Sequence, residues 1–159
     1  MGIKSYIVNF LKFLKHGGVK YVSVTFTNPD ARYTNKKVFI SGGSEGLGRA
    51  MAKAYLAEGA EVIVTGRSKE KLSNFQLSES NAKLHTLVWD ALDFDSYKQK
   101  FDKAVSMMGR IDIFVNNVGG GMSKYEPWNA YTAEVLDRTY DINTKSMFLD
   151  VPNGRAVYD

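Results

Sequence analysis

The sequence predicts an α/β fold, a parallel sheet with helices on both faces. Three observations predict it. From Lys36 onward, short apolar runs alternate with longer stretches of helical periodicity. Each apolar run is bounded by turn residues, as strands buried on both faces tend to be. A glycine-rich turn, Ser41 to Gly48, joins the first apolar run directly to the first helical stretch. Strands alternating with helices at this spacing imply right-handed crossovers, which place helices on both sides of the sheet.

Residues 1–35 precede this pattern and are expected to form a basic amphipathic extension rather than a domain. Ile3, Tyr6, Ile7, Phe10, Leu11, Phe13 and Leu14 share one face of a helical wheel over residues 3–16. Lys4, Ser5, Asn9, Lys12, Lys15 and His16 lie on the other, with Val8 the one misfit, and Gly17-Gly18 ends the segment. At about 14 residues it is shorter than the roughly 20 that cross a bilayer. Three roles stay open for it: packing on its own domain or a partner, lying on an anionic membrane surface, or acting as a targeting presequence without the usual arginines. A strand-like run from Val19 to Phe26 follows, then a turn signal at Thr27-Asn28-Pro29-Asp30.

The body follows in order. Val38-Phe39-Ile40 is a first strand, and a helix runs from about Leu47 to Glu58, closed by Gly59. Glu61 to Thr65 is a second strand. Ser68 is placed to cap the next helix, which runs to about Leu77 with Glu70 in its first turn. Leu84 to Trp89 is a third strand, and Asp93 opens a helix through Met108, closed by Gly109. Ile111 to Val115 is a fourth strand. Thr132 begins a last helix running to about Phe148. The tail from residue 150 to 159 is expected to be irregular, because Pro152 and Asn153-Gly154 break a helix.

Composition excludes several kinds of chemistry. There is no cysteine, so disulfides, thiolate nucleophiles and thiolate-bound metals drop out. His16 and His85 have no metal-ligand spacing to each other or to a carboxylate cluster, so no metal site is expected. The net charge of +4 resides in the arm, where residues 1–29 hold four lysines and no acid. The body is electrically balanced, which gives no reason to expect a nucleic-acid partner.

The motifs carry the functional expectation. Ser41-Gly42-Gly43-Ser44-Glu45-Gly46-Leu47-Gly48 follows the first strand and opens a helix. Asp90 follows the third strand, Asn116-Asn117-Val118-Gly119 follows the fourth, and Asn143 stands in Asp141-Ile142-Asn143-Thr144-Lys145 on the last helix. In this order they resemble the N-terminal half of the short-chain dehydrogenase/reductase family, over roughly residues 36–149. The resemblance implies a Rossmann-like domain that binds a nicotinamide dinucleotide. It assigns Ser41, Gly42, Ser44, Gly46, Leu47 and Gly48 to the pyrophosphate loop. Gly42 would allow the tight turn, Gly46 the close approach of backbone to phosphate, and Gly48 the close helix–strand contact. The first N–H groups of the helix near Leu47 would face the pyrophosphate. Asp90 would accept from the adenine amino group, or else cap a helix in competition with Asp93. The side-chain amides of Asn116 and Asn117 would tie neighbouring strand ends together and, with Gly119, line the cofactor cleft, where Val118 replaces the family's alanine.

Arg67 bears on the form of the cofactor. Thr65-Gly66-Arg67-Ser68 ends the second strand with no acid for a ribose 2′-hydroxyl. Arg67, helped by Ser68 and Lys69, suits a 2′-phosphate. NADP is therefore expected over NAD, although Glu45 occupies the loop position where the family carries a second base. The other reading of Arg67 is a solvated loop charge.

The family transfers hydride between nicotinamide and a small-molecule carbonyl or alcohol, using a serine, a tyrosine, a lysine four residues on and an asparagine. Asn143 alone has a counterpart here. The one Tyr-x-x-x-Lys match, Tyr33 to Lys37, precedes the first strand and is read as chance. The expectation is a chain truncated after about four strands and the following helix, inactive by itself. Its fourth strand would be an uncovered edge that favours self-association, in a homo-oligomer or with a longer relative. The alternative is a non-catalytic dinucleotide-binding remnant that pairs with another chain or a membrane surface. A cytoplasmic location is expected, with membrane-surface contact through residues 3–16 as one of the open roles of the arm.

Overall fold

The computed structural model describes residues 32–120 and 132–149. The amphipathic segment 3–16, the stretch 121–131 and the tail lie outside the described residues. Four strands form one parallel sheet: β1 (Lys37–Ile40), β2 (Glu61–Gly66), β3 (Leu84–Val88) and β4 (Ile113–Val115). Their order in space is β3-β2-β1-β4. The helices are α1 (Gly46–Ala57), α2 (Lys69–Glu79), α3 (Tyr97–Met108) and α4 (Ala133–Tyr140).

The apolar runs become the two central strands because both faces are covered. Val38, Ile40, Val62 and Val64 face one way and join Ala52 and Leu56 of α1 and Leu72 and Phe75 of α2. Phe39 and Ile63 face the other way and join Tyr97, Phe101, Ala104 and Met108 of α3, together with Trp89 and Ile111. Alternation of side chains along a strand turns one apolar run into two cores. Phe39 anchors the second core, stacked on Phe101 at 5.1 Å and set against Trp89 at 6.0 Å and Phe114 at 5.3 Å.

Several element boundaries differ from the sequence expectation. β4 begins at Ile113 rather than Ile111: Asp112 keeps one backbone bond to β1, its N–H donating to the Lys37 carbonyl at 2.8 Å, but the Lys37 N–H is taken by Asp112 Oδ2 at 2.8 Å. β3 ends at Val88, and Trp89 turns into the core. Asp93 does not cap a helix with its side chain; a 3-10 turn at Phe94–Ser96 leads into α3 instead. The last helix is interrupted by a π turn at Asp141–Lys145 and is helical again from residue 146 to 149.

Among the described residues, packing on the body reaches back to Arg32, four residues before Lys36. Tyr33 sets its ring edge-on to Tyr55 at 4.8 Å, and Arg32 pairs with Glu58 at the end of α1. This contact holds Tyr33 at the opposite end of the sheet from the Ser41–Gly48 loop, so its spacing to Lys37 carries no catalytic meaning.

The topology sets the place for a site. From β1 the chain winds outward through β2 to β3, with α1 and α2 on one face. It then returns through α3 on the other face to β4, on the far side of β1. The winding reverses between β1 and β4, and the loops after these two strands part to leave a crevice at their carboxyl ends.

Candidate functional site

The crevice is a cleft of about 1060 Å³. It takes Gly42, Ser44 and Glu45 from the loop after β1, Arg67 and Ser68 from the end of β2, and Trp89, Asp90, Ala91 and Leu92 from the chain after β3. Asn117, Val118, Gly119 and Gly120 come from the chain after β4, and Val135, Arg138, Thr139 and Ile142 from the last helix. Neighbouring strand ends and two helices thus contribute to a single concavity.

The loop after β1 takes its shape from glycine. Gly42 has φ of +69° and Gly46 φ of +57°, the left-handed region that favours glycine. Gly48 is required for closeness rather than for conformation. A Cβ there would lie 2.3 Å from the Gly42 carbonyl oxygen and 2.6 Å from the Asn117 amide nitrogen. Gly43, which sequence reasoning did not single out, is equally constrained, because its Cβ would lie 2.5 Å from Cβ of Val64. Adjacent glycines against a β-branched strand residue were the available signal.

Buried Ser41 organises the junction between the β1 and β4 loops. Its hydroxyl accepts from the N–H groups of Asn117 at 3.0 Å and Val118 at 3.2 Å. It sits 3.2 Å from Asn116 Oδ1, to which it donates. Asn117 Nδ2 donates to the carbonyls of Ser41 at 3.2 Å and Gly42 at 2.9 Å. Asn116 turns the other way, its Nδ2 lying 3.5 Å from the Met147 carbonyl. Of the two asparagines, Asn117 lines the cleft and Asn116 ties β4 to β1 and the last helix.

The other predicted residues divide in the same manner. Gly42, Ser44, Arg67, Ser68, Asp90 and Gly119 line the cleft. Ser41, Gly46, Leu47 and Gly48 form the loop and helix start that bound it. Ser68 spends its hydroxyl on the helix cap, accepting from the Lys71 N–H at 3.2 Å. Asp90 closes a local turn: its Oδ1 accepts from the Leu92 N–H at 3.1 Å. Its exposed carboxylate retains further acceptor capacity. Arg67 is exposed, and no ion pair among the described residues engages it.

Asn143 stands in the π turn beside the cleft. Its Nδ2 donates to the carbonyls of Gly120 at 2.6 Å and Thr139 at 2.8 Å, and its Oδ1 accepts from the Gly120 N–H at 3.1 Å. The amide thus clamps the chain leaving β4 to the last helix. π turns recur at functional positions because they re-aim a side chain without ending the helix.

These residues fit a dinucleotide phosphate on two observations. Glu45, at the N-cap of α1, makes no side-chain cap bond, and the first turn carries no acid, so its N–H groups are uncapped by side chains. No atom lies within 4 Å of a Cβ position at Gly46, so the cradle is open there. By contrast, α2 is capped by Ser68 and carries Glu70 in its first turn. No group of three or more histidine, cysteine, aspartate or glutamate side chains is arranged to hold a metal among the described residues.

Comparison with known proteins gives a consistent result. The family model for short chain dehydrogenase matches residues 36–152. The chain is similar to levodione reductase of Leifsonia aquatica, 35% identical over 127 residues, or 77% of this chain and 47% of that protein. It is similar to 7alpha-hydroxysteroid dehydrogenase of Bacteroides fragilis, 32% identical over 69% of this chain and 41% of that one. A short-chain dehydrogenase/reductase of Serratia marcescens, solved as a double mutant, superposes with a TM-score of 0.69 at 28% identity, covering 78% of this chain and 51% of that one. The chain spans about half the length of the curated relatives it matches. It belongs to the short-chain dehydrogenase/reductase family.

Proposed function

We propose that the cleft binds NADP in preference to NAD, and that the protein serves hydride transfer between this cofactor and a small-molecule carbonyl or alcohol. The observation that carries the cofactor reading is at the end of β2. Arg67 is exposed at the cleft with Ser68 beside it, and Thr65-Gly66-Arg67-Ser68 contains no acid for a 2′-hydroxyl. A guanidinium suits a phosphate through paired charge-assisted hydrogen bonds.

Each residue then has an assigned part. The uncapped N–H groups of α1 hold the pyrophosphate, and Gly46 leaves room for it. Asp90 accepts from the adenine amino group, and Asn117, Val118 and Gly119 form the wall along the cofactor. Asn143, through its grip on Gly120, sets the wall nearest the last helix. The bound dinucleotide supplies or accepts the hydride; the chain's own residues orient it and exclude water. Levodione reductase and 7alpha-hydroxysteroid dehydrogenase bear names that point to ketone and alcohol substrates, which supports this reaction class.

Equilibrium titration with NADP and NAD tests the reading. Arg67→Ala should weaken NADP by about 10-fold or more, as loss of a charge-assisted contact to phosphate implies, and leave NAD nearly unchanged. Equal losses for both dinucleotides would remove the 2′-phosphate role from Arg67.

A further inference from the structure

Glu45 is the one acidic side chain that the glycine loop brings to the cleft, and by charge alone it opposes a 2′-phosphate. The structure gives it a partner from another element. Lys71, in the first turn of α2, places Nζ 2.9 Å from Glu45 Oε1 and 2.7 Å from Oε2. Both residues line the same cleft as Arg67 and Ser68. Lys71 is also fixed at its backbone, where its N–H donates to Ser68 Oγ at 3.2 Å. Arg67, Ser68 and Lys71 therefore belong to one turn, the passage from β2 into α2, and Glu45 reaches it from across the cleft.

We propose that Lys71 is the second cation for the cofactor's 2′-phosphate, and that Glu45 competes for it, so that the Glu45–Lys71 pair sets the discrimination between NADP and NAD. This rests on the NADP reading above and deepens it. Three physical points carry it. The pair is open to solvent, with Lys71 53% and Glu45 66% exposed in their side chains, and exposed pairs of this kind hold weakly. A phosphate brings up to two charges and three strong acceptor oxygens against the single charge of a carboxylate, so it can draw Lys71 away. Glu45 then opposes binding twice, by engaging Lys71 and by repelling the dianion. Without Glu45, Arg67 and Lys71 would present two cations to the phosphate.

The test is a binding titration of the full chain at low ionic strength with NADP and NAD, on wild type, Glu45→Gln, Lys71→Met and Arg67→Ala. Glu45→Gln should tighten NADP by about 5-fold and Lys71→Met should weaken it by about 5-fold, the scale of an exposed charge interaction. NAD should change by less than about 2-fold in both, and added salt should shrink the gain in Glu45→Gln. All substituted side chains are exposed, and circular dichroism should show unchanged secondary structure. If Arg67→Ala lowers the NADP preference while Glu45→Gln and Lys71→Met leave it at the wild-type value, the pair is a plain surface contact and the proposal is overturned. If wild type binds both dinucleotides equally and Arg67→Ala alters neither, the 2′-phosphate reading itself falls, and the proposal with it.

Discussion

At the scale of single residues, the loop after β1 is the most constrained part of the chain. Gly48 illustrates it: the atoms a Cβ would meet are the backbone carbonyl of Gly42 and the side-chain amide of Asn117, which hydrogen bonds to the Ser41 and Gly42 carbonyls hold in place. Relief requires the loop to move away from α1, which disturbs the junction that Ser41 and Asn117 hold together. Gly48→Ala is expected to cost about 2 kcal/mol of stability, within the range of overpacking. It is also expected to abolish measurable dinucleotide binding. Denaturant unfolding alongside a cofactor titration checks both; wild-type affinity in a folded Gly48→Ala protein would show that the contact does not shape the site. Asn143 belongs to the same scale. Its three hydrogen bonds to Gly120 and Thr139 define a clamp that sequence alone describes only as an asparagine on a helix.

At the scale of elements, the amino ends of the strands are joined by charge. Glu61 opens β2 and is flanked by Lys37 of β1 and His85 of β3, its Oε1 lying 2.8 Å from His85 Nε2. Burial pushes the Glu61 carboxyl up, but the hydrogen bonds and charges of Lys37 and His85 outweigh it and leave the group below its ordinary value. A carboxylate lowered in the folded state contributes stability that is fully present above its unfolded value, about 4.3. That contribution is lost as pH falls through the lower folded value. Glu61→Gln should therefore make stability less dependent on pH as pH falls below about 4.3. Urea unfolding at a series of pH values measures it, and an unchanged pH slope would mean that the three-strand cluster contributes nothing to acid stability. Asp112 is arranged similarly: burial raises its carboxyl, and Arg110 with the Lys37 N–H lowers it further than burial lifts it.

At the scale of the whole molecule, the two cores and the last helix differ in kind. The cores on either face of the sheet are closed, with Val38, Phe39, Ile40, Val62, Ile63 and Val64 fully buried. The last helix is not: α4 buries none of its residues, and Leu136, Tyr140, Met147 and Phe148 are exposed by 44% to 65%. Apolar side chains this exposed on one segment favour association. Sedimentation velocity of the chain over a range of concentrations should resolve species heavier than one copy, and Leu136→Lys with Tyr140→Lys should shift them toward the monomer. A single monomeric species throughout would leave that face without a role in assembly.

The alternation of strands and helices, the parallel sheet and the glycine loop were legible in the sequence, because each depends on local periodicity and on residues adjacent in the chain. Val38 to Ile40 reads as a buried strand without knowledge of what covers it, and Ser68 reads as a cap because its partner Lys71 lies three residues on. The motifs likewise reached part of the cleft lining, at Gly42, Ser44, Arg67, Ser68, Asp90 and Gly119. What only the tertiary structure decided are pairings between distant elements. Asn117 rather than Asn116 faces the cleft because of how the β4 end meets Ser41. Gly43 is required by Val64, and Glu45 meets Lys71 across the loop and α2. Asp112 shortens β4 because Lys37 lies beside it. These outcomes depend on strand register and on how closely helices approach the sheet, and both are set by the packing of the two cores rather than by spacing along the chain.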